Sequence, residues 1–133
     1  MDRARIIDEI RRRLEEDPGD VIAAWVFGSV ARGEARATSD VDLALLTERE
    51  RPKTLDAISL DLRAELSQRL GRPVDIVLMR SAPADLVHRV MRDGVLVLDR
   101  DESGRIAFEV AARNRYFDMA PIWRQYRSAR NGT

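Results

Sequence analysis

Three aspartates carry the chemistry this sequence offers. Asp40 and Asp42 stand two apart in Ser39-Asp40-Val41-Asp42-Leu43, and Asp75 interrupts the apolar run Val74-Asp75-Ile76-Val77-Leu78-Met79. Residues two apart on a strand leave the same face of the sheet. Two carboxylates side by side repel, and folding them together is costly unless a cation lies between them. Hard divalent ions such as magnesium suit that place, and they usually bring a phosphate as a further ligand. A lone carboxylate inside an apolar strand is costly to bury unpaired. If the strand of Asp75 lies beside that of the other two, the three carboxylates can hold two metal ions. That arrangement activates a hydroxyl and stabilises a departing pyrophosphate, with Asp75 as the general base.

Upstream lies Gly28-Ser29-Val30-Ala31-Arg32-Gly33, a turn with glycine at both ends. Glycines let backbone approach a phosphate closely, and the N–H groups of a following helical turn point at it. Ser29 adds a hydroxyl donor and Arg32 a planar fork matched to phosphate oxygens. Lys53 is the only lysine, so an anionic ligand must be neutralised by arginines, backbone N–H groups or metal ions. Gly28 and Gly33 also have the glycine spacing of a Walker loop, but Glu34 and Ala35 follow where that loop needs Lys and then Ser or Thr. Each feature alone has an ordinary reading: a common turn, a solvated strand edge, a carboxylate paired with arginine. Their occurrence together and in order is what points to a site.

These residues need elements to hold them. Ile6, Ile7, Ile10 and Leu14 recur at helical spacing, and Asp17-Pro18-Gly19-Asp20 stops that helix. Val21 to Phe27 reads as a buried strand and delivers the chain into the glycine turn; Asp40 to Leu46 reads as a second strand. From Thr54, the residues Leu55, Ile58, Leu62, Leu66 and Leu70 stripe a helix that Gly71-Arg72-Pro73 ends. Val74 to Met79 is a third strand. Ser81 is placed to cap a helix carrying Leu86, Val87 and Val90, closed by Gly94. Val95 to Leu98 reads as an edge strand and Asp99 to Gly104 as a polar loop. A last helix then runs towards Tyr126, ended or kinked by Pro121. The pattern is α/β: a small mixed sheet flanked by helices, in one domain spanning 1–133, with a core over about 1–98 and a C-terminal helical tail over about 105–130.

At 133 residues and 44% hydrophobic, the chain can bury a core and does not read as disordered. Its 23 basic and 23 acidic residues cancel, which gives no global electrostatic case for direct nucleic-acid or membrane binding. There is no cysteine, no apolar run long enough for a bilayer and no signal-peptide core, so cytoplasmic residence is expected. His88, the only histidine, lies among Leu86, Val87 and Val90 and is expected to be structural or to lie at the surface. Phe117, Trp123 and Tyr126 beside arginines fit either the domain's own core or an interface.

The order G-S-x-A-R-G, then S-D-x-D-L, then a later strand aspartate resembles the minimal nucleotidyltransferases (MNT) of the DNA-polymerase-β-like superfamily. The resemblance spans about Val21 to Leu98. It implies a polymerase-β-like fold, with Gly28 and Ser29 holding the triphosphate of ATP in a site that includes Gly33, and with Arg32 and Ser39 assisting. It also implies that Asp40 and Asp42 bind two Mg2+ ions and that Asp75 completes the triad. The short tail is similar to stand-alone MNT proteins of the MntA antitoxin type. For such a protein the implied activity is transfer of AMP from ATP to a tyrosine of a cognate HEPN-type RNase toxin, which silences it. Two alternatives stand beside this: an antitoxin acting by binding alone, and an adenylyltransferase for a small molecule of the aminoglycoside type.

Overall fold

The computed structural model describes residues 2–34, 36, 39–50 and 57–130. Helix α1 (Arg3–Glu16) starts where the Asp2 carboxylate accepts from the Arg5 N–H at 2.9 Å, and it buries Ile6, Ile10 and Leu14 along one stripe. Strand β1 (Val21–Phe27) leads into the single turn of α2 (Gly28–Ala31), and β2 (Val41–Thr47) returns antiparallel beside β1. Helix α3 (Ala57–Leu70) crosses over to β3 (Val74–Leu78), which pairs parallel with β2. A 3-10 turn (Met79–Ser81), helix α4 (Ala84–Asp93), strand β4 (Val95–Asp99) and the long helix α5 (Glu102–Arg130) follow. The order β3-β2-β1-β4 places β4 on an edge and makes the sheet mixed, as expected.

Helices cover both faces. Against one face, Ile6, Ile10 and Leu14 of α1 and Leu62, Leu66 and Leu70 of α3 pack on Val41, Leu43 and Leu45 of β2. The ion pair from Arg13 Nε to Glu65 at 2.6 Å ties α1 to α3. Against the other face, Val87 and Val90 of α4, with Phe108 and Ala112 of α5, pack on Trp25, Ala44 and Leu46. A register shift in β1 between Val21 and Ala23 turns Ile22 and Ala23 both to this second face. No helix among the described residues is long and apolar enough to cross a membrane.

Several boundaries move. Strand β2 starts at Val41, so Asp40 lies one residue outside it. Met79 has left β3 and begins the 3-10 turn. Ser81 does not cap α4, because the cap position of that helix is Pro83, two residues later; the Ser81 hydroxyl instead donates to the Leu78 carbonyl at 3.4 Å. The expected loop to Gly104 is shorter, since the Asp101 carboxylate accepts from the Gly104 N–H at 3.0 Å and starts α5 at Glu102. The α5 backbone stays helical through Pro121 to Arg130. Thr54 and Leu55, where the third helix was expected to begin, lie outside the described residues.

Candidate active site

The expected site residues gather where β1 ends and β2 and β3 begin. Asp42 is register partner to Phe27 on one side and to Asp75 on the other. Paired residues on neighbouring strands send their side chains to the same face. That face is the one covered by α4 and α5, because Ala44 and Leu46 follow Asp42 at the strand period and pack there. Strand order thus brings Asp75 beside Asp42. Asp75 sits on an edge strand and is exposed, so the burial cost foreseen for it does not arise. Asp40 is exposed just ahead of the strand, at the mouth of the pair.

Gly28 explains why a glycine must follow β1. Its φ of 73° lies in the left-handed region, and a Cβ there would overlap the Asp42 carboxylate. The turn is therefore built directly against the Asp42 carboxylate. Behind it, the first N–H groups of α2 have no helical partner by construction. Gly33 ends the turn. Its N–H donates to the Val30 carbonyl at 3.1 Å, and Glu34 N–H donates to the Ser29 carbonyl at 2.9 Å. With φ of 72° at Gly33, this is a Schellman ending that terminates α2 after one turn. Ser29, half-buried, lies in that turn, whereas Ser39 is occupied locally: its hydroxyl accepts from the Arg36 N–H at 2.8 Å and shapes the approach to Asp40.

Electrostatics single out Asp42. Partial burial lifts its carboxyl above the ordinary carboxylate range, and the charges of Asp75 and Asp40 push it further; the Arg32 guanidinium opposes them. Arg32 donates to Glu34 at 3.1 Å and also helps to hold down the Asp93 carboxyl, which Arg92 lowers most strongly. The C-terminal end of α4 therefore borders the site through Asp93. No local pattern marked that residue in the sequence, because only the packing of α4 brings it there. His88, one turn earlier, stacks flat on Tyr116 of α5 with ring centroids 3.7 Å apart, a packing role as expected. A cavity of about 120 Å³ between Arg80, Val87, Phe108 and Ala112 includes none of the acidic residues.

The donor set suits a hard divalent cation: carboxylates with excess negative charge and no sulfur or imidazole. Among the described residues, no three His, Cys, Asp or Glu side chains close into an ion cage unaided. The aspartates form an open edge instead, which suits magnesium, an ion that takes one or two carboxylates and fills its shell with substrate phosphate and water.

A strand, a glycine turn against an acid pair and a parallel third strand that supplies another acid define a nucleotidyltransferase. The chain belongs to the family described as "Polymerase beta, Nucleotidyltransferase", whose pattern it matches over residues 8–103. It is 40% identical over 92 residues to the protein adenylyltransferase MntA of Thermococcus cleftensis, covering 69% of this chain and 89% of that one. Its fold is similar to that of a solved toxin–antitoxin structure with AMP-PNP (TM-score 0.77, 24% identity, 92% of this chain and 96% of that one). It is also similar to a chain in the structure of tri-AMPylated Shewanella oneidensis HEPN toxin in complex with MNT antitoxin (TM-score 0.74, 22% identity, 96% and 97% covered). Both structural likenesses include α5, so the tail is part of the shared fold.

Proposed function

We propose that this chain is a protein adenylyltransferase antitoxin, transferring AMP from ATP to a tyrosine of a cognate HEPN-type toxin. The observation that carries this reading is the pairing of Asp42 with Asp75 directly beside the Gly28 turn. The relative named for protein adenylylation, and the similar fold seen beside an AMPylated toxin, support the choice of nucleotide and acceptor.

In the reaction, the acceptor oxygen forms a bond to the α-phosphorus of ATP, and the bond from that phosphorus to its bridging oxygen breaks. Pyrophosphate leaves. Backbone N–H groups of α2 and the Ser29 hydroxyl bind the triphosphate, and Gly28 lets it approach. Arg32 exchanges Glu34 for phosphate oxygens. Asp40 and Asp42, with Asp75, would hold Mg2+, which when bound neutralises phosphate charge and lowers the pKa of the attacking hydroxyl. Asp75, exposed at the edge, takes the hydroxyl proton. Asp42 stays ionised to the extent that cations offset its two acidic neighbours.

The test is the intact mass of the neighbouring gene's product after co-expression, beside an Asp40→Ala, Asp42→Ala control. Mass gained in whole AMP units, and absent in the control, is the expected result. A silenced but unmodified partner would overturn the reading in favour of inhibition by binding.

A further inference from the structure

Two polar side chains are buried among the described residues, Thr47 and Arg72. The Thr47 hydroxyl donates to the Arg49 carbonyl at 2.6 Å and is satisfied. Arg72 is 8% exposed, and its Nη1 is enclosed with no hydrogen-bond partner. None of its nitrogens joins a hydrogen bond or ion pair among the described residues. Nε and Nη2 are not among the enclosed atoms, so the fork keeps one edge that a ligand can reach. A buried guanidinium left unpaired opposes folding, and a chain that keeps one has a use for it.

The backbone fixes where this arginine stands. Gly71 N–H donates to the Ser67 carbonyl at 3.0 Å and closes α3, while Val74 N–H donates to the Ser67 hydroxyl at 3.1 Å. Ser67 thus clamps the chain on both sides of Arg72. The next residue, Pro73, gives its carbonyl to the Val41 N–H at 2.9 Å, between Asp40 and Asp42. Asp75 follows Arg72 by three residues. Arg72 therefore lies at the end of the sheet that carries the aspartates, on the β3 flank of β2. Helix α2 and Arg32 lie on its β1 flank.

The acids at this end leave Arg72 unpaired, so none of them is its ligand. A planar guanidinium fork matches phosphate oxygens. On the reaction read above, a triphosphate arrives at this end and pyrophosphate leaves from it. With Lys53 the only lysine, arginine is the fixed cation the chain has for that charge. We propose that Arg72 grips the pyrophosphate portion of the bound triphosphate and holds it through departure, closing from the β3 flank what Arg32 closes from the β1 flank. Its unpaired charge weakens the free protein and is met when the nucleotide binds. This rests on the chain binding a nucleoside triphosphate, as read above.

Two variants test it: Arg72→Met, which keeps the bulk and removes the charge, and Arg72→Lys, which keeps the charge and removes the fork. Tm is measured on the free proteins, and affinity for Mg-ATP and for inorganic pyrophosphate by titration without the partner. Arg72→Met should melt at or above the parent protein, because no unpaired charge is buried, yet bind both ligands at least about ten-fold more weakly. Arg72→Lys should bind with an affinity between the two. Variants that bind both ligands like the parent protein, per folded molecule and whatever their Tm, overturn the assignment and leave the proposed activity standing. If Arg72→Met does not fold, Arg72→Lys decides, and parental affinity in it overturns the proposal. A parent protein that binds pyrophosphate through Arg72 but binds no ATP upholds the phosphate site and overturns the nucleotide reading.

Discussion

The two faces of the sheet are built from the same strands and do different work. Along β2, Val41, Leu43 and Leu45 turn to α1 and α3, and that side is hydrocarbon from end to end. The alternate residues Asp42, Ala44 and Leu46 turn to α4 and α5, where the core stops at Ala44 and a charged edge begins. A strand period of two lets one seven-residue segment serve stability and chemistry on separate sides. Substitutions on the first side should therefore cost folding, and those at the charged edge of the second should cost activity.

The largest expected effect is on the chemical side. Asp42→Ala should lower AMP transfer on the order of 10³-fold in a labelled-ATP assay, since on the proposed mechanism it removes both a cation ligand and the neighbour of the base. A fold intact by circular dichroism should accompany that loss; an unfolded variant would merge the two faces. On the opposite side, Leu66→Ala leaves a cavity in a fully buried position and should cost about 2–5 kcal/mol in urea unfolding, with transfer per folded molecule unchanged.

Gly28→Ala should affect both faces at once. The left-handed φ alone costs about 1–2 kcal/mol, and the new methyl displaces the Asp42 carboxylate, so stability and transfer should fall together. The smallest effect sharpens the contrast by its sign. Because the Asp42 carboxyl titrates above its ordinary value of 3.8, the unfolded chain releases this proton first as pH rises, and stability is lost through that window. With chelator present, Asp42→Asn should melt above the parent protein at pH 7 and match it below the ordinary value. Added Mg2+ and ATP should then stabilise the parent more than the variant. A variant less stable at pH 7 would mean that Asp42 holds the fold as well as the substrate.

Much of this was readable along the chain. The stripe of Ile6, Ile10 and Leu14, the apolar run into Gly28 and the Asp-x-Asp spacing are local patterns, and periodicity reports local patterns well. Ser81 misled because Pro83 supplies a later start for α4, and a serine two residues too early caps nothing. That Gly33 stops α2 through Schellman bonds was not legible, because the bonds are set by the backbone of the turn and not by residue type. Asp93 left no trace, because its neighbours Arg32 and His88 include one from across the fold.

By itself, then, the sequence determined residue types and periods: which segments become strands, that glycine follows β1, and that acids stand two apart where β2 begins. Only the tertiary structure decided that β3 lies parallel beside β2 in the register that sets Asp75 against Asp42. That register depends on which strand α3 carries the chain back to, and on which faces must be buried. It also decided that Arg72 lies buried without a partner among the described residues. A sequence shows where an arginine stands along the chain, but only the packed fold shows which charge is enclosed and still unpaired.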